Sequence, residues 1–480
     1  MKKTVFSMSS TLRLPDTYPV ACHTDHIAPG SVFVAIKGFK QDGVAFIPQA
    51  IAQGACKIVM QHETVVPQAI AASIQANSVE VIKVENARRA LATLSAQAWG
   101  NPAKKLRIIA ITGTKGKTTS AFLLQHVLQA AGYKTALLST VKNSIIGYDF
   151  KTNLTTQQPD YLHMFFGLCV NAGVEYVIME TAAQAFSLDR VYGIEFDAVL
   201  FTNFDLEHAE FYPTMDEYFQ AKCCIFKQAK PYAPRIINAD NAWSAKLAEN
   251  GYAQFGTSPS ATFAMIPGSG ADTQQKIRWQ DATLTFDCPA LIGQFNRYNV
   301  AGVVSVALSL GIAPAAIAQA LASFAGVPGR FERYVAPNGA SFIIDYAHNP
   351  SSYEQVLSTV RALTDHLIVL FGAGGERDKS KRPLMGEIAA QYADQVILTA
   401  DNPRTEDLVT IIDDIQKGIA PEQAHKVAVV YDREDAIHYA YRFSKPGTIV
   451  MLLGKGPDEY QIVGTNKMHF SEAAIVKALQ

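Results

Sequence analysis

Between Ile111 and Thr119 the chain reads Ile-Thr-Gly-Thr-Lys-Gly-Lys-Thr-Thr, set between an apolar run and an amphipathic stretch that ends by Gly132. Residues of these types at this spacing handle phosphate. Gly113 and Gly116 let backbone N–H groups approach phosphate oxygens closely. A helix starting near Lys117 favours negative charge at its N-terminus, Lys117 reaches terminal phosphates, and the Thr118 hydroxyl is suited to magnesium. Thr114, Lys115 and Thr119 complete the loop, which is tighter than the general GxxxxGK(S/T) because only Thr114 and Lys115 separate the two glycines. Nucleotide binding is the expected chemistry, against the alternative of a turn that merely contains glycine and lysine.

Other residues are ambiguous on chemistry alone. Glu180 ends the apolar run Tyr176–Met179 at the C-terminal edge of a sheet, where ligands bind in open α/β folds, so it is placed for a metal or for a helix N-cap. His208 reads as a hydrogen-bonded loop histidine or a ligand. Lys222, in an expected helix Met215–Lys227 beside Asp216, Glu217, Gln220 and Lys227, reads as one more solvated charge.

These residues need elements to hold them. From Leu106 onward, continuous apolar runs lead through polar loops into helical patterns, the signature of buried parallel strands. The runs are Leu106–Ile111, Tyr176–Met179, Ala198–Phe201 and Arg235–Ile237, then Ser341–Ile344, Leu367–Phe371, Gln395–Thr399, Val427–Val430 and Thr448–Leu453. A shorter α/β pattern precedes them and breaks at Gly100-Asn101-Pro102, and Pro328-Gly329 marks a second break. The architecture expected is three consecutive α/β domains, residues 1–103, 104–332 and 333–480, with parallel sheets in the last two.

Composition narrows the setting. Lys plus Arg number 42 against 43 Asp plus Glu, a net charge of -1, so there is no overall basic field for nucleic acid or an anionic membrane. The six cysteines show no CxxC pair, which argues against a disulfide framework or zinc site and for a reducing cytoplasm. No signal peptide or membrane span is expected.

The segment Thr112–Thr119 resembles the signature of the Mur ligase family, ATP-dependent enzymes that join a carboxylate to an amino group during peptidoglycan assembly. The resemblance continues in order through Asn203, Glu207-His208, Thr214-Met215 leading to Lys222, Phe295–Asn299, Pro328-Gly329-Arg330, Asp345–His348, Gly372–Arg377 and Asp401–Arg404. Its nearest branch is the tripeptide synthetases, which add the third peptide residue. The resemblance implies a central P-loop ATPase-like domain, a Rossmann-like C-terminal domain and an N-terminal acceptor domain of the UDP-binding type. It implies catalysis through an acyl phosphate with ATP and Mg2+, Thr118 and Glu180 serving one magnesium and His208 a second, and Lys222 carbamylated so that it also helps to hold metal. Asn296 is assigned to the base, Arg330 to phosphates and Asp345 to the ribose.

For the incoming amino acid the resemblance points to Asp401, Asn402 and Arg404, with Gly454 and Asp458 on a companion loop. The motif Asp401-Asn402-Pro403-Arg404 goes with meso-diaminopimelate, and a guanidinium fork suits the extra carboxylate. Alternatively, Arg404 pairs with Glu406 or Asp407 on the surface. The companion loop reads Gly454-Lys455-Gly456-Pro457-Asp458-Glu459 where the family shows GKGHE. For the acceptor, Thr155, Thr156 and Arg190 remain. The family's DSR, DGH, TTP and EVSSH stand here as His23-Thr24-Asp25, Asp42-Gly43-Val44, Thr155–Pro159 with two residues inserted, and Glu180-Thr181-Ala182-Ala183-Gln184. The expected activity is addition of an amino acid such as meso-diaminopimelate to UDP-N-acetylmuramoyl-alanyl-glutamate or a related carboxylate. The alternatives are ligation to a carboxylate without UDP, and a non-catalytic ATP-binding regulator. Partners are small-molecule substrates only, with neither nucleic acid nor membrane, and the expected state is a monomer in the cytoplasm.

Overall fold

A computed structural model describes residues 12–39, 41–205, 211–267 and 274–479. The chain divides into two compact units, the first built mainly from residues up to Met265 and from Ala301–Ala320, the second from Thr283–Val300 and from Leu321 onward.

The first unit opens with a four-stranded parallel sheet in the order Val20–Ala21, Val32–Val34, Lys57–Gln61, Glu80–Val84. Helix Ala87–Ala98 covers one face, because Ala87 and Leu91 fall on one stripe and bury against Val20, Val34 and Val59. Asn86 caps it, its side-chain oxygen accepting from the Arg88 and Arg89 amides. The larger sheet is centred on Arg107–Thr112, flanked in parallel by Tyr176–Glu180 and Ala198–Phe201. Ile108, Ile109, Ala110 and Ile111 are all fully buried, as a strand covered on both faces requires. Thr135–Leu138 extends one side and Arg235–Asn238, Ala253–Gly256 and Phe263–Ile266 the other, all parallel. Two short antiparallel strands, Asn143–Ile145 and Tyr148–Phe150, are added at the edge as a hairpin.

The second unit carries a six-stranded sheet in the order Glu332–Val335, Ser341–Asp345, Ile449–Leu453, Leu367–Phe371, Gln395–Leu398, Val427–Val429. Only the first strand is antiparallel to its neighbour. Helices Pro350–Arg361, Lys381–Tyr392 and Leu408–Gln416 bury one face, and Arg433–Phe443 with Glu472–Ala478 the other. A hairpin, Tyr460–Val463 with Asn466–His469, stands apart from this sheet.

The α/β class and the runs read as parallel strands agree with the structure, but Thr135–Leu138, Ala253–Gly256 and Phe263–Ile266 are further parallel strands that those runs did not include, and there are two other differences. The N-terminal sheet is parallel as well, and each larger sheet carries antiparallel strands at an edge. Among the described residues no helix is long and apolar enough to cross a membrane.

Candidate active site

The phosphate loop joins strand Arg107–Thr112 to helix Lys117–Ala130. Gly113 has φ +145°, and a Cβ there would collide with the Thr202 hydroxyl; Gly116 caps the helix at φ +80°. Both positions therefore call for glycine. Asn203 braces the loop from the neighbouring strand end. Its Oδ1 accepts from the Lys115 amide at 2.9 Å, its Nδ2 donates to the Lys115 carbonyl at 3.0 Å, and its own carbonyl accepts from the Thr114 amide at 2.9 Å. Lys117 Nζ donates to the carbonyls of Gly113 and Thr114 at 2.9 and 2.8 Å, folded over its own loop. Thr119 is buried within the helix's first turn.

Glu180 is fully buried at the end of its strand and gathers three donors. The Thr118 hydroxyl donates to its Oε2 at 3.1 Å, the Thr140 amide to Oε1 at 2.9 Å, and the Thr140 hydroxyl lies 3.1 Å from Oε2. A buried carboxylate beside a hydroxyl, next to a loop that would cradle phosphate, is a hard-oxygen set that fits magnesium. Thr140 escaped the sequence reading, although it follows strand Thr135–Leu138 at the same sheet edge as Glu180. Thr155 Oγ1 is 3.1 Å from the Thr140 hydroxyl. Thr156 donates to the Glu180 carbonyl at 3.0 Å and accepts from the Ala182 amide, while Arg190 Nη1 donates to the Thr156 carbonyl at 2.9 Å. Thr156 thus ties its loop to the end of the Glu180 strand, Thr155 ties it to Thr140, and Arg190, beyond helix Ala183–Ser187, holds it from the other side of the sequence.

Lys222 is not a surface charge. It is 1% exposed in helix Met215–Lys227, its Nζ 2.7 Å from the Gly113 carbonyl and 4.6 Å from the centre of the Tyr218 ring. Phosphate loop, Glu180 and Lys222 are brought together. His208, with Glu207, lies outside the described residues.

A cavity of about 940 Å³ opens in the same unit, lined among others by Tyr18, His23, Asp25, Gln158, Asp160 and Arg190. Burial, then the charge of Arg88, holds the Arg190 guanidinium below its usual range, so an anion would be welcome there. The altered acceptor motifs separate into two kinds. His23, Asp25, Gln157 and Gln158 line the cavity, whereas Thr24 is buried in a 3-10 turn and Asp42 caps another by accepting from the Val44 amide at 3.0 Å.

In the second unit, Asp345 is 9% exposed, its Oδ1 accepting from the Ala347 amide and its Oδ2 from the Phe331 amide, each at 2.8 Å. Burial raises its carboxyl pKa, with the Arg330 charge opposing. Arg330 stacks over the Tyr346 ring at 4.3 Å. Asn296 is buried, donating to the Ile292 carbonyl at 2.9 Å and accepting from Asn299 at 3.1 Å.

The amino-acid candidates cluster at the C-terminal ends of the parallel strands. Gly454, at φ +107°, donates its amide to the Asp345 carbonyl at 3.1 Å, and a Cβ on it would stand 2.7 Å from Asp401 Oδ2. Asn402 Oδ1 accepts from the Ile462 amide at 2.8 Å, joining this loop to the separate hairpin. Arg404, at φ +54°, donates to the Gly375 carbonyl at 2.7 Å. The surface pairing considered for it does not occur. Glu406 is gripped by Arg382 at 2.8 Å and Lys379 at 2.7 Å, and Asp407 caps helix Leu408–Gln416. Asp458 is half-buried, and burial raises its carboxyl pKa while Lys455 opposes the shift. Glu459, the next carboxylate along this loop, is exposed.

Three models of one family match the chain in series. Residues 19–99 match the Mur ligase family catalytic domain, 111–307 the Mur ligase middle domain and 329–456 the Mur ligase glutamate ligase domain. A relative from Syntrophomonas wolfei named UDP-N-acetylmuramoyl-L-alanyl-D-glutamate--2,6-diaminopimelate ligase is 34% identical over 475 residues, covering 96% of this chain and 94% of its own. One of the same name from Synechococcus elongatus is 38% identical over 455 residues, 92% of this chain and 90% of its own. Among solved structures, a ligase of that name aligns with a TM-score of 0.66 at 24% identity over 99% of this chain and 97% of its own. A MurF ligase from Thermotoga maritima in complex with ADP aligns at 0.60 and 20% identity over 91% of this chain and 94% of its own. These two show likeness of fold, while the relatives above 30% identity carry kinship along nearly the full length. With its phosphate loop, buried Glu180 and Lys222 in one cluster, the chain belongs to the Mur ligase family.

Proposed function

We propose that this protein is an ATP-dependent ligase that joins 2,6-diaminopimelate to UDP-N-acetylmuramoyl-L-alanyl-D-glutamate through an acyl phosphate. The observation that carries the reading is the 34% identity to a ligase of that name over 96% of the chain. An amide cannot form from a carboxylate at neutral pH without activation. The acceptor carboxylate takes the γ-phosphoryl of ATP, the amine attacks the acyl carbon, and phosphate leaves.

The chain's own residues divide this work. Backbone amides in the first turn of helix Lys117–Ala130 cradle the phosphates, those of Thr114 and Lys115 being held by Asn203, and Lys117 turns from its loop carbonyls to the terminal phosphate. Thr118 and Glu180 would hold magnesium, which when bound would supply positive charge to the transferring phosphoryl oxygens. Lys222, if carbamylated, would offer a carboxylate to a second metal, for which His208 would be a further ligand. Asn296, Arg330 and Asp345 receive base, phosphates and ribose. Arg190 with Thr155 and Thr156 fixes the acceptor. Asp401, Asn402, Arg404, Gly454 and Asp458 take the amino acid, Arg404 meeting its distal carboxylate and Asp458 an ammonium. Boundaries near residues 103 and 332, a monomer and a cytoplasmic setting complete the proposal.

A second reading, a ligase acting on a carboxylate without UDP, is favoured by His23, Asp25, Gln157 and Gln158 lining the cavity where the acceptor motifs have changed. Phosphate release from magnesium ATP with UDP-N-acetylmuramoyl-L-alanyl-D-glutamate, offering meso-diaminopimelate and lysine separately, decides between them. Turnover with diaminopimelate supports the first. Silence with that acceptor while ATP binds favours the second.

A further inference from the structure

Two cations and two carboxylates lie buried together behind the loops Asp401–Arg404 and Gly454–Asp458. Arg433 and Lys455 are 0% exposed, Glu472 2% and Asp401 8%. Arg433 opens helix Arg433–Phe443, and its guanidinium is spent on three separate segments. Nε donates to Glu472 Oε1 at 2.8 Å, Nη1 to the Ala400 carbonyl at 3.1 Å, and Nη2 to the Leu453 carbonyl at 2.8 Å. Ala400 immediately precedes Asp401, Leu453 immediately precedes Gly454, and Glu472 is the first residue of the last helix, Glu472–Ala478. Lys455 Nζ continues the cluster, 3.8 Å from Asp401 Oδ1 and 3.5 Å from Asn402 Oδ1.

Such a cluster is a poor source of stability. Burial raises the Glu472 carboxyl against the pull of Arg433 and lowers the Lys455 ammonium against that of Asp401. Glu472 Oε2 is buried with no hydrogen bond among the described residues. Apolar residues of similar volume often serve a core as well as a buried ion pair does. What a planar guanidinium supplies instead is direction, since its donors fix the angle of every partner at once. Here the partners are the two carbonyls from which both amino-acid loops spring.

We propose that Arg433 is a positioning residue for the incoming amino acid: it sets the spacing of the Asp401–Arg404 and Gly454–Asp458 loops and, through Glu472, makes the last helix part of their support. This rests on the reading that those loops receive the amino acid. The guanidinium does not touch substrate; it holds Arg404 and Asp458 at the separation that two ends of one ligand require, and lysine at 433 keeps the charge without the fork.

The test is steady-state kinetics of the full chain with ATP, acceptor and meso-diaminopimelate varied in turn, for Arg433→Lys, Glu472→Gln and Arg404→Ala, beside thermal melts. Arg433→Lys and Glu472→Gln are each expected to raise the amino-acid KM about tenfold, with the KM for ATP and kcat at saturating amino acid within about twofold of the parent. If Arg404→Ala raises that KM while neither of the other two does, the positioning role is wrong and the reading of the loops survives. If Arg404→Ala leaves it unchanged, the reading of the loops fails and the positioning role with it. Equal loss in all constants would make Arg433 merely structural and overturn the inference. Should Arg433→Lys fail to fold, Glu472→Gln, which keeps size and shape, decides by the same criteria.

Discussion

Lys222 shows how a residue's neighbours can mislead. Read by its immediate surroundings, it sits among Asp216, Glu217 and Lys227 and passes for a solvated charge. Read by helical period, Tyr218, Phe219, Lys222, Ile225 and Phe226 are the helix's buried stripe, so a lysine occupies an apolar position. That signal was in the sequence; its direction toward Gly113 was not, because it depends on a loop 109 residues away. The phosphate loop was legible because glycines, lysine and threonine act locally, whereas Thr140 was not, its role being visible only once two strand ends lie side by side. If Lys222 carries carbamate, Lys222→Ala should lose at least about 100-fold in turnover and regain part of it with added formate or acetate, a rescue read directly from phosphate release. Asp458 makes a prediction in pH. Its folded pKa lies above its unfolded value, so its ionised form costs stability above the folded value and the cost fades as pH falls through it. Asp458→Asn should therefore melt higher than the parent at pH 7, the gap narrowing toward pH 4, while its KM for diaminopimelate rises. A gap that widens on acidification would mean that the folded state lowers the Asp458 pKa instead.

At the scale of elements, the long buried strands were legible to within a residue or two, since runs such as Leu367–Phe371 need only be apolar and bounded by polar loops. The edge additions were not. Asn143–Ile145 and Tyr148–Phe150 are three residues each, and their turn relies on Ile146 and Gly147 at φ +46° and +83° rather than on a recognisable dipeptide. The break at Gly100-Asn101-Pro102 does turn the chain, with Gly100 at φ +70° and Asn101 at +52°. A tie invisible in the sequence lies at the other end of the preceding helix. Asn86 caps helix Ala87–Ala98 and donates to Asp189 at 3.1 Å, and Arg89 meets the same carboxylate at 3.2 Å. Asn86→Ala removes the cap and one bond to Asp189, and should cost about 1–2 kcal/mol in urea unfolding while leaving the KM for ATP unchanged. Loss of ATP affinity would mean that this joint also governs the phosphate loop.

For the whole molecule, a net charge of -1 supplies no long-range field, so under the proposed function substrate capture falls to local groups such as Arg190 and Arg404. The two compact units make calorimetry informative, because ligand that binds one native unit stabilises that unit by mass action. Diaminopimelate should raise the melting transition of the second unit and leave the other in place; movement of the first unit's transition alone would put the amino acid elsewhere. Gly454 has one more consequence. Its amide is held by Asp345, a side chain on it would meet Asp401, and the residue before it hangs from Arg433. If these loops receive the amino acid, an engineer wishing to change the one accepted cannot graft one loop from another ligase and expect a working pocket: the two loops, the arginine and the last helix would form a cassette, to be transplanted as one piece.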